Sequence, residues 1–488
     1  MLFNSLAFVV FLPVFLVLYW ATRGPLRLGL TLVASYVFYA WWDWRLLPLL
    51  WFQTGVAFLA ARYIQRLSGP VERRRVLVLG LAANLALLGV FKYLHFGVGS
   101  LRTTLGLVGI QTPDIPWHAV LPIGISFYTF QCMGYLLDVY RRQIEPETSL
   151  PRFAASVGLF VHVLAGPIVR ARNLLPQLRS DRRFDLERAS EGFQQVLWGF
   201  FKKVVVADSL AALVSPFFAE PGVHAGASLL LSVYLYSFQI YCDFSGYSDI
   251  ALGCAKILGY DLGVNFDRPY FARGFGEFWA RWHISLSSWL RDYLFLPVAY
   301  GLSRRIESER PLGVRAETWS HAGAAMVTML LAGLWHGAAW TFVAWGGLHG
   351  VFLVLERWLG PGLRRTARRL RLPPRVVTLA SWLIVFHAVT FAWIFFRSPS
   401  FGAAADMIVG IATRAPFAFG AVQHRFLIAR ALLVVGIVIG VEALSFRPGL
   451  FERLARQPAL RFATAALMLW CVALFGTFSG ANFIYFQF

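Results

Sequence analysis

Of the ten histidines in the 488 residues, His336 is the one whose position is hardest to account for by packing alone. It falls inside the apolar run Met329 to Trp340, between Trp335 and Gly337, with Trp345-Gly-Gly-Leu-His349-Gly350 following. A lone histidine among apolar neighbours is most often structural, but an ionisable side chain at membrane depth is expensive unless paired or hydrated and so marks function by default. A second polar cluster lies upstream. It begins with Asn265, Asp267 and Arg268, continues through Glu277, Arg281, His283, Ser285, Ser287 and Ser288, and ends with Arg291 and Asp292. At helical spacing Glu277 and Arg281 form an i,i+4 pair with Ser287 and Arg291 on its flank, although an amphipathic helix lying at a membrane interface would read the same way. An imidazole is the side chain suited to take a proton from a hydroxyl near neutral pH. Transfer of an acyl group from a thioester to an alcohol needs such a base, together with donors aimed at the developing oxyanion. His336 can be that base, with the indole N–H groups, Ser287 or His283 orienting the substrate.

Other chemistries lose weight by what is missing. The chain has no GxSxG elbow, no GxxxxGK[ST] phosphate loop and no DxD pair, and no histidine is followed five residues later by aspartate. Cys132, Cys242, Cys254 and Cys471 stand apart in apolar surroundings, so no metal site is expected from them.

The elements that must hold these residues are membrane helices. The chain is 58% hydrophobic and 14% charged, with a mean hydropathy of +0.60, far too apolar for a soluble domain. The net charge of +20 comes from arginines in short runs between apolar segments, a positive-inside pattern rather than a nucleic-acid surface. Placing those runs in the cytoplasm and the charge-poor loops 97–120, 212–228 and 398–426 outside gives ten crossings: 3–21, 26–44, 46–65, 76–96, 121–140, 190–211, 229–257, 377–397, 427–446 and 462–479. The N-terminus, residues 480–488 and hence the C-terminus then lie outside, and the first apolar stretch reads as a retained helix. Segments 153–169, 262–299 and 322–356 carry basic sequence on both flanks and must return to the side they entered from. Re-entrant pieces survive at membrane depth only inside protein or along a wet cavity, which predicts an interior funnel. A single transmembrane domain, 1–488, is expected, with no soluble domain or tandem repeat.

The chain resembles the membrane-bound O-acyltransferase family, in its alginate O-acetyltransferase branch. The resemblance is carried in order by Met1-Leu-Phe-Asn-Ser, Leu121 to Phe130, Ala165 to Arg170, Phe201-Lys-Lys-Val, Tyr241 to Asp249, Asn265 to Tyr270, Phe278 to Tyr293 and Gly333 to Gly337. It implies an all-α ring of helices around a core entered by a cytoplasmic and an outer funnel. It also implies that His336 is the essential histidine and His283 its companion, with Asn265, Arg268, Glu277, Arg281, Ser287, Arg291, Asp292 and Trp335 as supporting funnel residues. No permanently bound cofactor is implied. The acyl group would come from a cytoplasmic thioester, acetyl-CoA or an acyl carrier protein, for which the Arg-rich inner surface is suited.

The stretch Phe483-Ile-Tyr485-Phe-Gln-Phe488 resembles the aromatic tail of polysaccharide-acylating members, in which the tyrosine hydroxyl accepts the acyl group on the outer side; an interfacial aromatic belt is the alternative. The resemblance further implies a bacterial inner-membrane protein in contact with lipid and a periplasmic polysaccharide O-acetyltransferase as partner. A transporter or flippase, or a non-catalytic subunit of a polysaccharide export complex, are the competing readings; the first should show inverted repeats, and none is visible.

Overall fold

The structure, a computed structural model, describes residues 1–110, 121–306, 308–309, 313–414, 422–450, 453, 457–478 and 483–484. Every regular element among them is helical. Two compact units divide the chain: Met1–Phe193 with Ala251–Gly263, and Gln194–Ile250 with Val264–Phe488.

In the first unit, helices start where sequence chemistry tells them to. Ser5 and Ser149 accept the N–H of Phe8 and Arg152 as N-caps, and Pro25, Pro48 and Pro70 occupy first turns, where a missing N–H costs nothing. The helices Leu47–Arg66, Pro70–Leu88 and Ile125–Tyr140 are tied through a buried polar link. Thr129 Oγ1 donates to Gln53 Oε1 at 2.8 Å, while Gln53 Nε2 donates to the Asn84 carbonyl at 3.2 Å. Residues 153–170 are all buried, yet the segment forms only the nine-residue helix Leu150–Gly158 followed by turns. Gly124, at φ 79°, enters the next helix in the left-handed region, and a Cβ there would sit 2.3 Å from the Val163 carbonyl, so glycine alone fits.

The second unit contains both His283 and His336. The helix Leu186–Phe200 runs through a π-turn, Phe201–Ala207, into Asp208–Ala219. Gly226–Ile257 packs against it so closely that a Cβ on Gly199 would meet the Gly246 carbonyl at 2.6 Å. Segment 262–299 is broken into the short helices Phe275–Arg281 and Ile284–Leu290, a π-turn Arg291–Phe295 and Leu296–Ser303. Segment 322–356 behaves differently, because it belongs to a hairpin of two long helices, Ala316–His336 and Trp340–Arg369. The first arm has 21 residues, about 31 Å at helical rise. The 398–426 loop contains a helix the arginine pattern does not reveal, Phe401–Thr413, capped by Ser400 and burying Ala404, Met407 and Gly410.

Large apolar side chains point outward along many helices, among them Leu6, Val17, Leu79, Phe462 and Trp470, which are each more than 60% exposed. Such a surface needs lipid. Five helices among the described residues are long and apolar enough to cross a membrane: Gly24–Arg66, Pro70–Leu107, Pro374–Arg397, Arg425–Leu444 and Pro458–Phe475. The protein is therefore an all-α, multi-pass membrane protein. Other expected crossings differ from these for visible reasons: Ile125–Tyr140 is short at 16 residues, and Gly226–Ile257 contains Asp243 and Asp249.

The hairpin depends on Gly333 and Gly346, where an added Cβ would lie 2.1 Å from the Phe342 and Met329 carbonyl oxygens respectively. Small residues permit this approach of one helix backbone to another. Gly346→Val should lower stability by about 3 kcal/mol, the upper end of ordinary overpacking, read as a fall in thermal midpoint in detergent. Gly97→Ala, where nothing lies within 4 Å of the added atom, should leave it unchanged.

Candidate active site

His336 is the last residue of its helix, and the chain turns immediately at Gly337. The side chain is buried, 3% exposed, among Trp335, Trp345 and Phe396, whose ring centroids lie 4.9, 5.0 and 5.4 Å away. The backbone contact at Gly333 and Gly346 draws Trp345 against it.

His283 arrives from the broken segment. It is fully buried and sits between two short helices with φ 43° and ψ 55°. A left-handed conformation is uncommon for a residue with a Cβ and costs about 1–3 kcal/mol, so surrounding bonds must impose it. Asn265 supplies them. Its carbonyl accepts the Ile284 N–H at 2.8 Å, and its Oδ1 accepts from the Ser285 hydroxyl at 2.8 Å and the Ser285 N–H at 3.2 Å. Its Nδ2 donates to Ser248 Oγ at 3.0 Å. The kink aims the imidazole inward, 4.5 Å from the Phe244 ring, 5.9 Å from Trp335 and 6.5 Å from His336, centroid to centroid. Two histidines 53 residues apart in sequence are thus brought together.

The remaining residues fall into two groups. Arg281 pairs with Glu277 at 2.7 Å, and the Glu277 carboxylate also accepts the Arg273 N–H at 2.8 Å. Arg268, at φ 48°, binds Asp267 at 2.7 Å and lies over the Phe446 ring. These bonds brace the broken segment rather than reach the histidines. Ser287 donates to the Trp282 carbonyl at 2.9 Å. Ser287 and Arg291, with Trp279, Thr328 and Met329, line a cavity of about 110 Å³. Arg291 is largely exposed and pairs with Asp292 at 2.8 Å. Neither histidine lines the cavity. It is linked to them through a series of rings: Trp279 to His349 at 5.0 Å, His349 to Trp345 at 4.8 Å, and Trp345 to His336. Tyr485 lies outside the described residues.

Two features went unassigned in the sequence. His349 is fully buried, and among the described residues neither of its ring nitrogens, nor the indole N–H of Trp279, Trp282 or Trp345, has a hydrogen-bond partner. Buried donors in this number need an acceptor from a ligand or water, and the Trp345 ring that carries one of these N–H donors lies 5.0 Å from the His336 ring. The second is an ionic cluster, Lys203 between Asp208 at 2.8 Å and Asp243 at 2.6 Å, with Lys202 bound to Asp249 at 2.5 Å. The signal was available: Lys202, Lys203, Asp208, Asp243 and Asp249 all fall inside expected crossings, where charges must pair.

Residues 140–397 match the family described as MBOAT, membrane-bound O-acyltransferase family, a span that contains both histidines and the hairpin. The chain belongs to the membrane-bound O-acyltransferase family and is an O-acyltransferase. It is 39% identical to "Probable alginate O-acetylase AlgI" of Pseudomonas aeruginosa over 91% of this chain and 80% of that one. It is 33% identical to the peptidoglycan O-acetyltransferase of Helicobacter pylori over 84% and 80% of the two chains. A more distant likeness, 26% over 59% of this chain and 72% of the other, is to the teichoic acid D-alanyltransferase of Bacillus subtilis.

Asn265→Ala leaves the Ser285 N–H and hydroxyl without their acceptor, while the backbone carbonyl still takes the Ile284 N–H. It should cost about 1–3 kcal/mol and reduce acyl transfer by more than that loss of folded protein explains, measured on variant and parent at matched folded concentration.

Proposed function

We propose that the protein takes an acetyl-type group from a cytoplasmic thioester, acetyl-CoA or an acyl carrier protein, and passes it across the bacterial inner membrane for O-acetylation of an exported polysaccharide. The observation that carries this reading is the buried approach of His283 to His336, 6.5 Å between rings, at a helix end held by glycine contacts. His336 acts as the base. It takes the proton of the acceptor hydroxyl as that oxygen attacks the thioester carbonyl carbon. The tetrahedral intermediate then collapses, the C–S bond breaks, and the departing thiolate receives the proton. N–H donors around the base, Trp345 among them, stabilise the oxyanion, and His283 orients the acceptor.

The remainder of the proposal concerns access and direction. A ring of helices surrounds the pair, a cytoplasmic and an outer funnel meet there, and both termini lie outside. The donor enters past the arginine-rich inner loops. On the outer side the Tyr485 hydroxyl receives the acyl group, and a periplasmic transferase moves it from the phenolic ester to sugar hydroxyls. The likeness to proteins named for alginate and peptidoglycan acetylation supports a polysaccharide as the final acceptor.

His336→Ala should reduce transfer by about 10²- to 10⁴-fold, the usual contribution of a positioned base, in membranes where the variant accumulates normally. Wild-type polymer acetylation in those membranes would refute the assignment. Tyr485→Phe keeps the apolar ring and removes only the acceptor oxygen. It should abolish covalent labelling of the tail by [14C]acetyl donor, and persistence of that label would rule the relay out.

A further inference from the structure

The cluster around Lys203 does more than neutralise buried charge. Asp208, Lys203 and Asp243 are each at most 4% exposed, and Asp243 uses its two carboxylate oxygens for different tasks. Oδ1 accepts from the Lys203 ammonium at 2.6 Å, and Oδ2 accepts the backbone N–H of Ile484 at 2.8 Å. A backbone amide donating to a buried carboxylate is a charge-assisted bond, stronger and more directional than one between neutral groups. Lys203 makes the carboxylate tolerable at that depth, and one lysine for two aspartates leaves negative character for the incoming N–H to meet.

The same segment is fixed at a second point. Beyond the helix Pro458–Phe475, the Thr477 N–H donates to the Val204 carbonyl at 2.9 Å, and the Thr477 and Ser209 hydroxyls are 3.1 Å apart. Lys203 and Val204 both belong to the π-turn Phe201–Ala207, whose wider winding turns their side chains and carbonyls away from an α-helical register. Between Ile484 and the histidines stands a short stack of rings. Phe483, 2% exposed, lies on Tyr247 at 4.8 Å and against Phe244 at 5.6 Å, and Phe244 is 4.5 Å from His283.

We propose that Asp243, held by Lys203, is a seat for Phe483 and Ile484 and, with Phe244, acts as a positioning residue that presents Tyr485 for acyl transfer. The presenting role rests on the reading of Tyr485 as outer acceptor; the seat itself does not.

The test is made on the full chain in nanodiscs. Asp243→Asn keeps the shape and removes the charge. By hydrogen exchange, the amides of Phe483 and Ile484 should be protected in the parent and released in the variant, while the hairpin Ala316–His336/Trp340–Arg369 stays protected. Transfer of [14C]acetyl to Tyr485 should slow at least tenfold. Ile484→Pro, which deletes the donated N–H, should release Phe483 and slow labelling in the same way, and it decides the matter if the Asn variant does not fold. Equal protection in parent and variants overturns the seat even if Tyr485 is labelled. Release without slowing overturns the presenting role. Absence of label on Tyr485 in the parent overturns the relay reading and the presenting role with it, whatever the exchange data show.

Discussion

Two helix backbones in van der Waals contact, at Gly333 and Gly346, underlie the rest of the site. Lipid offers helices no hydrophobic reason to associate, so close packing and satisfied polar groups must hold them. The contact fixes where the first arm ends, and its end is His336. It also fixes which faces of the second arm meet the interior, and these carry Trp345 and His349. A bulkier pair would move the His336 imidazole and its aromatic surroundings together.

The other half of the site is held by a different device. His283 occupies a strained backbone position, and the strain is opposed by hydrogen bonds that Asn265 accepts, through its side chain from Ser285 and through its backbone carbonyl from the Ile284 N–H. Strain of this kind persists where the surroundings over-determine it. Rigid placement matters because a base acts only within hydrogen-bond reach of its proton. A packed hairpin and a clamped kink together bring two imidazoles to one interior, 6.5 Å between ring centroids.

Signals that are local in the chain were the ones legible in the sequence. Membrane helices could be read because lipid-facing surfaces demand apolar runs. The i,i+4 pair of Glu277 and Arg281 could be read because helix spacing is local. The basic flanks of segment 322–356 record only where it starts and finishes, and not that it belongs to a pair of helices of 21 and 30 residues. His349 passed without a role because its meaning lies in ring contacts from other helices. The Lys203–Asp243 pair joins spans 40 residues apart, and only the rule that buried charges pair could have suggested it.

The π-turn at Phe201–Ala207 has an evolutionary corollary. Such a turn is one residue longer than the α-helical path between the same two ends, and each residue of an α-helix rotates the chain by about 100°. Loss of any single codon within it would restore regular winding and swing Lys203 about a quarter-turn or more away from its aspartates. Gaps in the genes of descendants should therefore avoid this short window even where its individual side chains drift, so that length rather than identity is what inheritance must preserve there.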